Sequence, residues 1–268
     1  MQQASLSERD FARFRQFIFD AAGITLSPAK KALVCGRLAR RLAARGLDSY
    51  GRYLELLEGE EPASEVQIAV DLLTTNETYF FREPRHFDLL RTLAGQAKAR
   101  RRRLRAWSAA CSSGEESYSI AMVLDDVLGE QPWEVTGSDI SSRVLRRART
   151  GHYVDDRARL IPADYLKRYC LRGTDEHAGT LLVDPALRRR VSFMQLNLNE
   201  DLPTIGPFDI IFLRNVMIYF SPETKRAVVE RVLERLEPGG HFCIGHSETL
   251  HGTGAAVEQV APSVYRKP

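Results

Sequence analysis

The sequence predicts an α/β fold in which a parallel sheet follows an N-terminal helical domain. Up to about residue 74, apolar side chains such as Phe11, Phe14 and Ile18 recur at helical spacing, and no strand pattern interrupts them. From Leu104 onward, short apolar runs alternate with longer amphipathic segments. That alternation is typical of βα units and of the parallel sheets that they build.

Strands of the predicted sheet lie where short apolar runs are bounded by turn-forming residues. They are expected at residues 104–109, 134–138, 191–194, 208–213 and 241–245, with a last strand near Val264. The segment before that last strand is too short and irregular for a crossover helix, which favours an antiparallel end to the sheet. Residues 151–190 are irregular apart from an apolar cluster at 181–183, and they indicate a small inserted subdomain.

Composition excludes several classes of protein. The chain has 268 residues, 44% of them hydrophobic, and a net charge of +3, but no apolar run of about 18 residues and no basic-then-apolar leader pattern. We therefore expect a cytoplasmic protein without direct membrane insertion. Neither a disulfide nor a zinc cluster is expected from four widely spaced cysteines, and His241, His246 and His251 lack zinc-like companions, so no metal site is predicted.

A loop of small residues, 108–114, follows the first strand and leads into a helix that starts with Glu115 and Glu116. Open α/β sheets bind ligands at the carboxyl end of their strands, so the loop is a candidate ligand site. It lacks the G-x-G-x-x-G pattern of dinucleotide sites. A tight turn that binds nothing explains the loop alone equally well.

Asp139 closes the second strand about 25 residues after this loop, where an acid can accept two ribose hydroxyls. The absent glycines argue against a pyrophosphate, so S-adenosylmethionine fits better than NAD. Its methionine end is a zwitterion, for which Glu116 and Arg82 are candidate partners.

Two further pairs of residues follow strands at the same edge of the sheet: Asn197 with Leu198, and Arg214 with Asn215. An amide and an apolar side chain suit an adenine. A single Asn in such a loop is more often a turn former, but several polar features on one edge favour a ligand site.

Six segments of the chain, which contain Arg82, Glu116, Asp139, Arg214 and Asn215, resemble the CheR family of chemotaxis receptor methyltransferases. The segments are Asn-Glu-Thr-Tyr-Phe-Phe-Arg-Glu (76–83), Trp-Ser-Ala-Ala (107–110), Gly-Glu-Glu-Ser-Tyr-Ser (114–119), Ser-Asp-Ile (138–140), Arg-Asn-Val-Met-Ile-Tyr-Phe (214–220) and Gly-His-Ser-Glu (245–248). One departure is Ser117, where many members of the family have proline.

The resemblance implies a doubly wound, Rossmann-like methyltransferase sheet, a helical domain at 1–74, a linker at 75–86 that contributes to the cofactor site, and a catalytic domain at 87–268. It implies a β-subdomain inserted at about 166–190. Methylation of receptor glutamates would convert S-adenosylmethionine into S-adenosylhomocysteine, with Arg82 and Tyr219 near the transferred methyl. The implied cofactor contacts are Asn76, Thr78, Arg82, Glu116, Asp139, Asn197, Leu198, Arg214 and Asn215.

One face of the second predicted helix is basic. At 100° per residue, its cationic side chains fall within an arc of roughly 140°, opposite an apolar face. They are Lys30, Arg37, Arg40, Arg41 and Arg45. The resemblance favours docking of Arg37, Arg40, Arg41 and Arg45 onto the acidic methylation helices of a receptor's cytoplasmic region; a solvated face is the alternative.

Other partners and functions are weighed on the same grounds. In some members of the family the β-subdomain captures a receptor's C-terminal peptide by strand addition. An RNA methyltransferase is disfavoured because the basic segments lack interleaved aromatic residues, so no nucleic-acid partner is expected. A non-catalytic S-adenosylmethionine sensor is disfavoured by Arg82 and Tyr219. We expect a monomer.

Overall fold

The computed structural model describes residues 5–59 and 63–268, which group into two compact units. One unit ends at Thr75 and also contains Tyr219–Lys225; the other contains Asn76–Ile218 and Arg226–Pro268. Residues 1–4 and 60–62, which belong to the predicted helical domain 1–74, lie outside the described residues. None of the described helices is long and apolar enough to cross a membrane.

The first unit is built of helices, as the apolar spacing predicts. The hydroxyl of Ser7 caps the first helix by accepting a hydrogen bond from the Asp10 amide at 3.0 Å, and Gly23, with φ of 70°, ends it in the left-handed conformation. A 3-10 turn at Pro28–Lys30 precedes the second helix. The helices are α1 (Glu8–Ala22), α2 (Lys31–Ala44), α3 (Tyr50–Glu58) and α4 (Ala63–Leu73).

A buried carboxylate joins three of these helices. Glu65 on α4 is 3% exposed, and its Oε1 accepts hydrogen bonds from Arg41 Nε on α2 and from the Tyr53 hydroxyl on α3, both at 2.8 Å. The hydrogen bond from Arg41 lowers the pKa of Glu65 and outweighs the opposing effect of burial. Pairing is what makes a buried carboxylate tolerable, since an unpaired one would cost several kcal/mol.

The second unit is organised around a seven-stranded sheet with the order β6-β2-β1-β7-β8-β10-β9. The first five strands in this order are parallel, and β10 runs antiparallel to both β8 and β9. The strands found within residues 5–59 and 63–268 are β1 (Leu104–Ser108), β2 (Trp133–Asp139), β3 (His152–Val154), β4 (Cys170–Arg172), β5 (Thr180–Val183), β6 (Val191–Gln195), β7 (Phe208–Leu213), β8 (Leu236–Ile244), β9 (Glu258–Ala261) and β10 (Val264–Arg266).

Helices cover this sheet, and one of them is almost wholly buried. Residues Ile120, Ala121, Met122, Val123 and Leu124 of α6 are all 0% exposed, because α6 packs against α5, β1 and β2. The remaining helices are α5 (Arg85–Ala99), α6 (Glu115–Leu128), α7 (Ser142–Thr150), α8 (Asp155–Ala158), α9 (Ala163–Tyr169), α10 (Pro185–Arg188) and α11 (Pro222–Glu234).

The inserted subdomain contains an antiparallel three-stranded sheet with the order β3-β5-β4. Its central strand, β5, contains the apolar cluster at 181–183 that was noted in the sequence. The small sheet begins at His152, earlier than the insertion expected at about 166–190. Strand β3 was not recognised in the sequence because it has only three residues, of which Tyr153 alone is buried. So short a strand leaves no detectable periodicity.

In the seven-stranded sheet, β8 and β9 differ from the sequence-based prediction. Strand β8 begins at Leu236, five residues before the predicted start. Its first half was missed because Pro238, Gly239 and Gly240 are typical of a turn. Strand β9 was not predicted: all four of its residues are exposed, so it has no apolar alternation. Its position at the outer edge of the sheet explains that composition. The antiparallel end of the sheet was predicted correctly.

Glu65→Gln should lower the free energy of unfolding by about 2 kcal/mol at pH 7, since Arg41 loses a charged acceptor. The folded pKa of Glu65 is lowered, so its stabilisation is present above the ordinary value of 4.5 and is lost as pH falls through the folded pKa. Urea denaturation at pH 7 and at pH 3 should show a smaller acid-induced loss for the variant than for the native chain.

Glu58→Gln is the matched control. Glu58 pairs with Arg13, but its side chain is 48% exposed, so its removal should cost less than about 0.5 kcal/mol. Equal losses in the two variants would show that the Glu65 cluster stabilises no more than a surface ion pair.

Candidate active site

The order of the parallel strands reverses at β1: β2 and β6 lie to one side, and β7 and β8 to the other. Open α/β sheets bind ligands beside such a point, at the carboxyl ends of the strands. The segments that follow β1, β2, β6 and β7 therefore define the candidate site.

The loop after β1 turns sharply into α6. The amide of Ala109 donates to the carbonyl of Phe212 at 2.8 Å and so ties the start of the loop to β7. Gly114 ends the loop with φ of 95°, and a Cβ there would lie 2.8 Å from the Cβ of Ala148. Only glycine fits both the conformation and the space.

Asp139, at the end of β2, faces this loop and is 7% exposed. Its two carboxylate oxygens accept hydrogen bonds from the amides of Ser112 and Ser141, each at 2.9 Å. The hydroxyl of Ser112 in turn donates to the carbonyl of Asn76 at 2.9 Å. Asn76 and Asp139, which are far apart in sequence, are thus both connected to one residue of the loop.

A buried guanidinium group lies between two carboxylates at the end of β7. Arg214 Nη1 is 2.9 Å from Glu116 Oε2, and Arg214 Nη2 is 2.9 Å from Glu83 Oε2. The Arg214 side chain is 1% exposed. The hydroxyl of Ser108 donates to the other oxygen of Glu116 at 2.7 Å, so that carboxylate is connected to both β1 and β7.

The electrostatics of this cluster suit a positively charged ligand group. Burial raises the pKa of Glu116, with Arg214 acting in the opposite direction. Burial also acts to raise the pKa of Glu83, but the Arg214 charge and the surrounding hydrogen bonds outweigh it and lower that pKa. Two carboxylates face one guanidinium, so an added ammonium group would balance the remaining negative charge.

A second carboxylate organises the loop after β7. Glu248 accepts hydrogen bonds from the amides of Asn215, Met217 and Gly245 at 2.9, 2.8 and 2.7 Å. Asn215 adopts a φ of 57°, and a Cβ on Gly245 would lie 2.5 Å from its Nδ2. Glu83 and Glu248 were not predicted as site residues; in the sequence they stand out only as members of the 76–83 and 245–248 segments.

Arg82 and Thr78 lie in the segment that leads into α5. Arg82 Nη1 donates to the Glu77 carbonyl at 3.2 Å, and its guanidinium lies 5.5 Å from the centre of the Tyr79 ring. The Thr78 carbonyl accepts from Arg157 Nη1 at 2.9 Å, so the small subdomain contacts this segment. Sequence reasoning did not single out Arg157.

Asn197 and Leu198 follow β6, one strand beyond β2. The side chain of Asn197 donates to Glu200 Oε1 at 2.8 Å and accepts from the Asn199 amide at 3.1 Å. These bonds are those of a turn-forming asparagine. Leu198 is 7% exposed, and its carbonyl accepts from Arg231.

Tyr219 belongs to the segment Tyr219–Lys225, which groups with the helical unit rather than with the residues above. It ends a 3-10 turn that begins at Met217. Its carbonyl accepts a hydrogen bond from the Thr25 amide at 2.7 Å, and the side chain is partly exposed.

The four arginines predicted to dock a receptor divide into two kinds. Arg41 binds Glu65, and Arg37 Nη1 donates to the carbonyls of Leu73 and Thr74 at 2.8 and 3.0 Å. These two guanidinium groups therefore stabilise the helical unit. Arg40 and Arg45 are exposed, with one Arg45 nitrogen 3.9 Å from Glu65.

His246 has close companions that its sequence neighbours do not reveal. Potential ligand atoms of Glu83, His86 and His246 lie within 4.8 Å of one another. Burial lowers the pKa of His86 to about 4, and the charge of Arg214 acts in the same direction. The imidazole of His86 is therefore neutral at neutral pH.

Comparison with known proteins gives consistent matches along the chain. The model of the CheR methyltransferase SAM-binding domain matches residues 76–265, and that of the CheR methyltransferase all-alpha domain matches residues 9–74. A chemotaxis protein methyltransferase of Salmonella typhimurium is 44% identical over 252 residues, which cover 93% of this chain and 86% of that protein. Chemotaxis protein methyltransferase 2 of Pseudomonas aeruginosa is 43% identical over 267 residues, which cover 98% and 95%.

Proposed function

Because this chain belongs to the CheR methyltransferase family, we propose that it methylates glutamate side chains of chemotaxis receptors. The products would be glutamate methyl esters and S-adenosylhomocysteine. The chain is an S-adenosylmethionine-dependent methyltransferase of chemotaxis. The observation that best supports a methionine-binding end to the site is the buried cluster of Glu116, Arg214 and Glu83.

The residues present fit S-adenosylmethionine. Glu116 would accept the ammonium group, and the carboxylate of Asp139, at the end of β2, would accept the ribose hydroxyls. Arg82 and the N-terminus of α6 are suited to the methionine carboxylate. When bound, S-adenosylmethionine supplies a methyl group on a positively charged sulfur.

The remaining cofactor contacts are proposed from the predicted set. Leu198 would pack against the adenine. Asn197 would hydrogen-bond to the adenine in place of its present bond to Glu200. Asn76 and Thr78 would contribute from the linker 75–86, whose carbonyls at 76 and 78 already bond to Ser112 and Arg157. Arg214 and Asn215 would hold the loop after β7 in place.

The side chains have to orient the reactants rather than move a proton. A glutamate with a pKa of about 4.3 is ionised at pH 7 before it binds, so no general base is required. Arg82 would position the cofactor and the reacting centre, and Tyr219 would lie near the transferred methyl group. His246 would have no part in proton transfer.

Receptor docking is proposed for Arg40 on α2 and for Arg45 directly after it, which would face acidic methylation helices in the cytoplasm. The small sheet offers two edge strands, β3 and β4, for a receptor's C-terminal peptide. We propose that the enzyme acts as a monomer. Transfer of labelled methyl to receptor in base-labile form, and not to RNA, tests the substrate class directly.

Asp139→Ala should weaken S-adenosylmethionine binding by about 1–3 kcal/mol, because the ribose hydroxyls would lose a charged acceptor. Calorimetric titration checks this, with melting curves to verify that the loop remains folded. Asp164→Ala, which changes an exposed acid on α9, is the control and should leave affinity unchanged. Equal affinities in the two variants would remove Asp139 from the site.

Arg40→Glu should lower the rate of receptor methylation about tenfold at low salt and leave cofactor affinity unchanged, because the charge acts on an acidic protein substrate. Arg9→Glu, on the exposed side of α1, is the matched control. Arg41 is unsuitable for this test because its loss leaves Glu65 without its partner. Full activity of Arg40→Glu would favour a merely solvated face.

Single-turnover methylation at saturating cofactor should rise with substrate ionisation between about pH 4 and 5 and then level off. His246→Gln should keep this profile, whereas Arg82→Lys should lose substantial rate because it keeps the charge without the planar fork. A rising limb near pH 6–7 that disappears in His246→Gln would identify a histidine base and contradict the mechanism.

A further inference from the structure

Glu83, which belongs to the proposed methionine-binding cluster, is arranged together with His86 and His246 like the ligands of a metal ion. Glu83 Oε2 lies 3.6 Å from His86 Nδ1 and 3.9 Å from His246 Nε2, and all the potential ligand atoms lie within 4.8 Å of one another. Ligands of a tetrahedral zinc ion lie about 3.3 Å apart, given bonds of about 2.0–2.1 Å. Small rotations of the side chains would bring the three atoms to that spacing.

His86 supplies an independent indication of a ligand. Its side chain is 1% exposed, and neither ring nitrogen has a hydrogen-bond partner within the described residues. Buried polar atoms are normally paired, so an imidazole with two unsatisfied nitrogens calls for an explanation. Coordination of a metal through Nδ1 would satisfy one of them.

A metal ion could reach these atoms from solvent. A cavity of about 550 Å³ is lined by both histidines, and the side chain of His246 is 51% exposed. The rings of His86 and His246 meet edge to face with centroids 5.5 Å apart, which already brings them together. The cavity would leave a fourth coordination position open to solvent.

We propose that Glu83, His86 and His246 form a Zn²⁺ site whose occupation opposes cofactor binding. Two imidazoles and one carboxylate match zinc and exclude Mg²⁺ and Ca²⁺, which take oxygen ligands. Arg85 and Arg266 also line the cavity, and their charge favours an anion or hydroxide as the fourth ligand.

The opposition to cofactor binding follows from the shared oxygen. Glu83 Oε2 is also the atom to which Arg214 is bound at 2.9 Å. Coordination of zinc there would weaken that contact and disturb Arg214, which also holds Glu116. This coupling rests on the proposed function, in which Glu116 accepts the ammonium group. Thermodynamic linkage requires that bound cofactor weaken the binding of zinc by the same factor.

The zinc site is tested on the full chain with His246→Gln, because His246 is half-exposed and its loss should leave the fold intact. Zinc affinity, measured by competition with a chromophoric chelator, should fall about tenfold or more. Co²⁺ should give the absorption bands of a tetrahedral site in the native chain and lose them in the variant. His251→Gln, an exposed histidine outside the cluster, is the control and should bind zinc normally.

The proposed site would be refuted if His246→Gln bound zinc with unchanged affinity. It would also be refuted if the native chain did not bind one zinc ion per molecule. The coupling is measured by calorimetry: zinc should weaken S-adenosylmethionine binding about fivefold or more in the native chain and not in His246→Gln. Equal affinity with and without zinc would overturn the coupling. Neither readout uses receptor, so failure to methylate receptors would refute the proposed function separately.

Discussion

The structure of the candidate site depends on the burial of the Arg214 guanidinium group. This side chain is 1% exposed and lies between Glu83 and Glu116, while its Nη2 also donates to the Arg82 carbonyl. A buried charge that lost one of its partners would cost several kcal/mol. The two chain segments that supply the partners, before α5 and at the start of α6, are therefore held to the end of β7 by one electrostatic requirement.

This requirement explains backbone conformations that would otherwise be unfavourable. Glu83 and Asn215 have φ angles of 58° and 57°, in the left-handed region that few residues other than glycine adopt. Both side chains bond within the cluster, since Asn215 Nδ2 donates to Glu83 Oε1 at 3.3 Å, and Glu248 holds the Asn215 amide. Such conformations persist where many surrounding contacts hold the backbone in place, and they are common at functional sites. Hydrogen bonds within the chain itself therefore hold the loop after β7 in its conformation.

The same charges can stabilise a fold or serve a partner, and their sequence pattern does not separate the two uses. The basic face of α2 was predicted as one docking surface, yet Arg41 binds a buried carboxylate and Arg37 binds carbonyls at the end of α4, while Arg40 is exposed. His246 was judged to lack companions because His86 and Glu83 are distant in sequence. Helical periodicity records which side of a helix a residue occupies, but not what lies opposite.

The sequence by itself determined the α/β class, most of the strands and the edge of the sheet where polar residues collect, because apolar runs and loop residues act locally along the chain. It also selected Glu116, Asp139 and Arg214; their contact with a cofactor remains a prediction. Only the tertiary structure decided that Arg214 pairs with residues 98 and 131 positions away, and that Asn76 meets the loop after β1. Such pairings depend on how distant segments fold together, so they cannot be inferred from the residues next to each partner in the sequence. The exposed strand β9 was decided in the same way, by the neighbouring strand β10 rather than by its own composition.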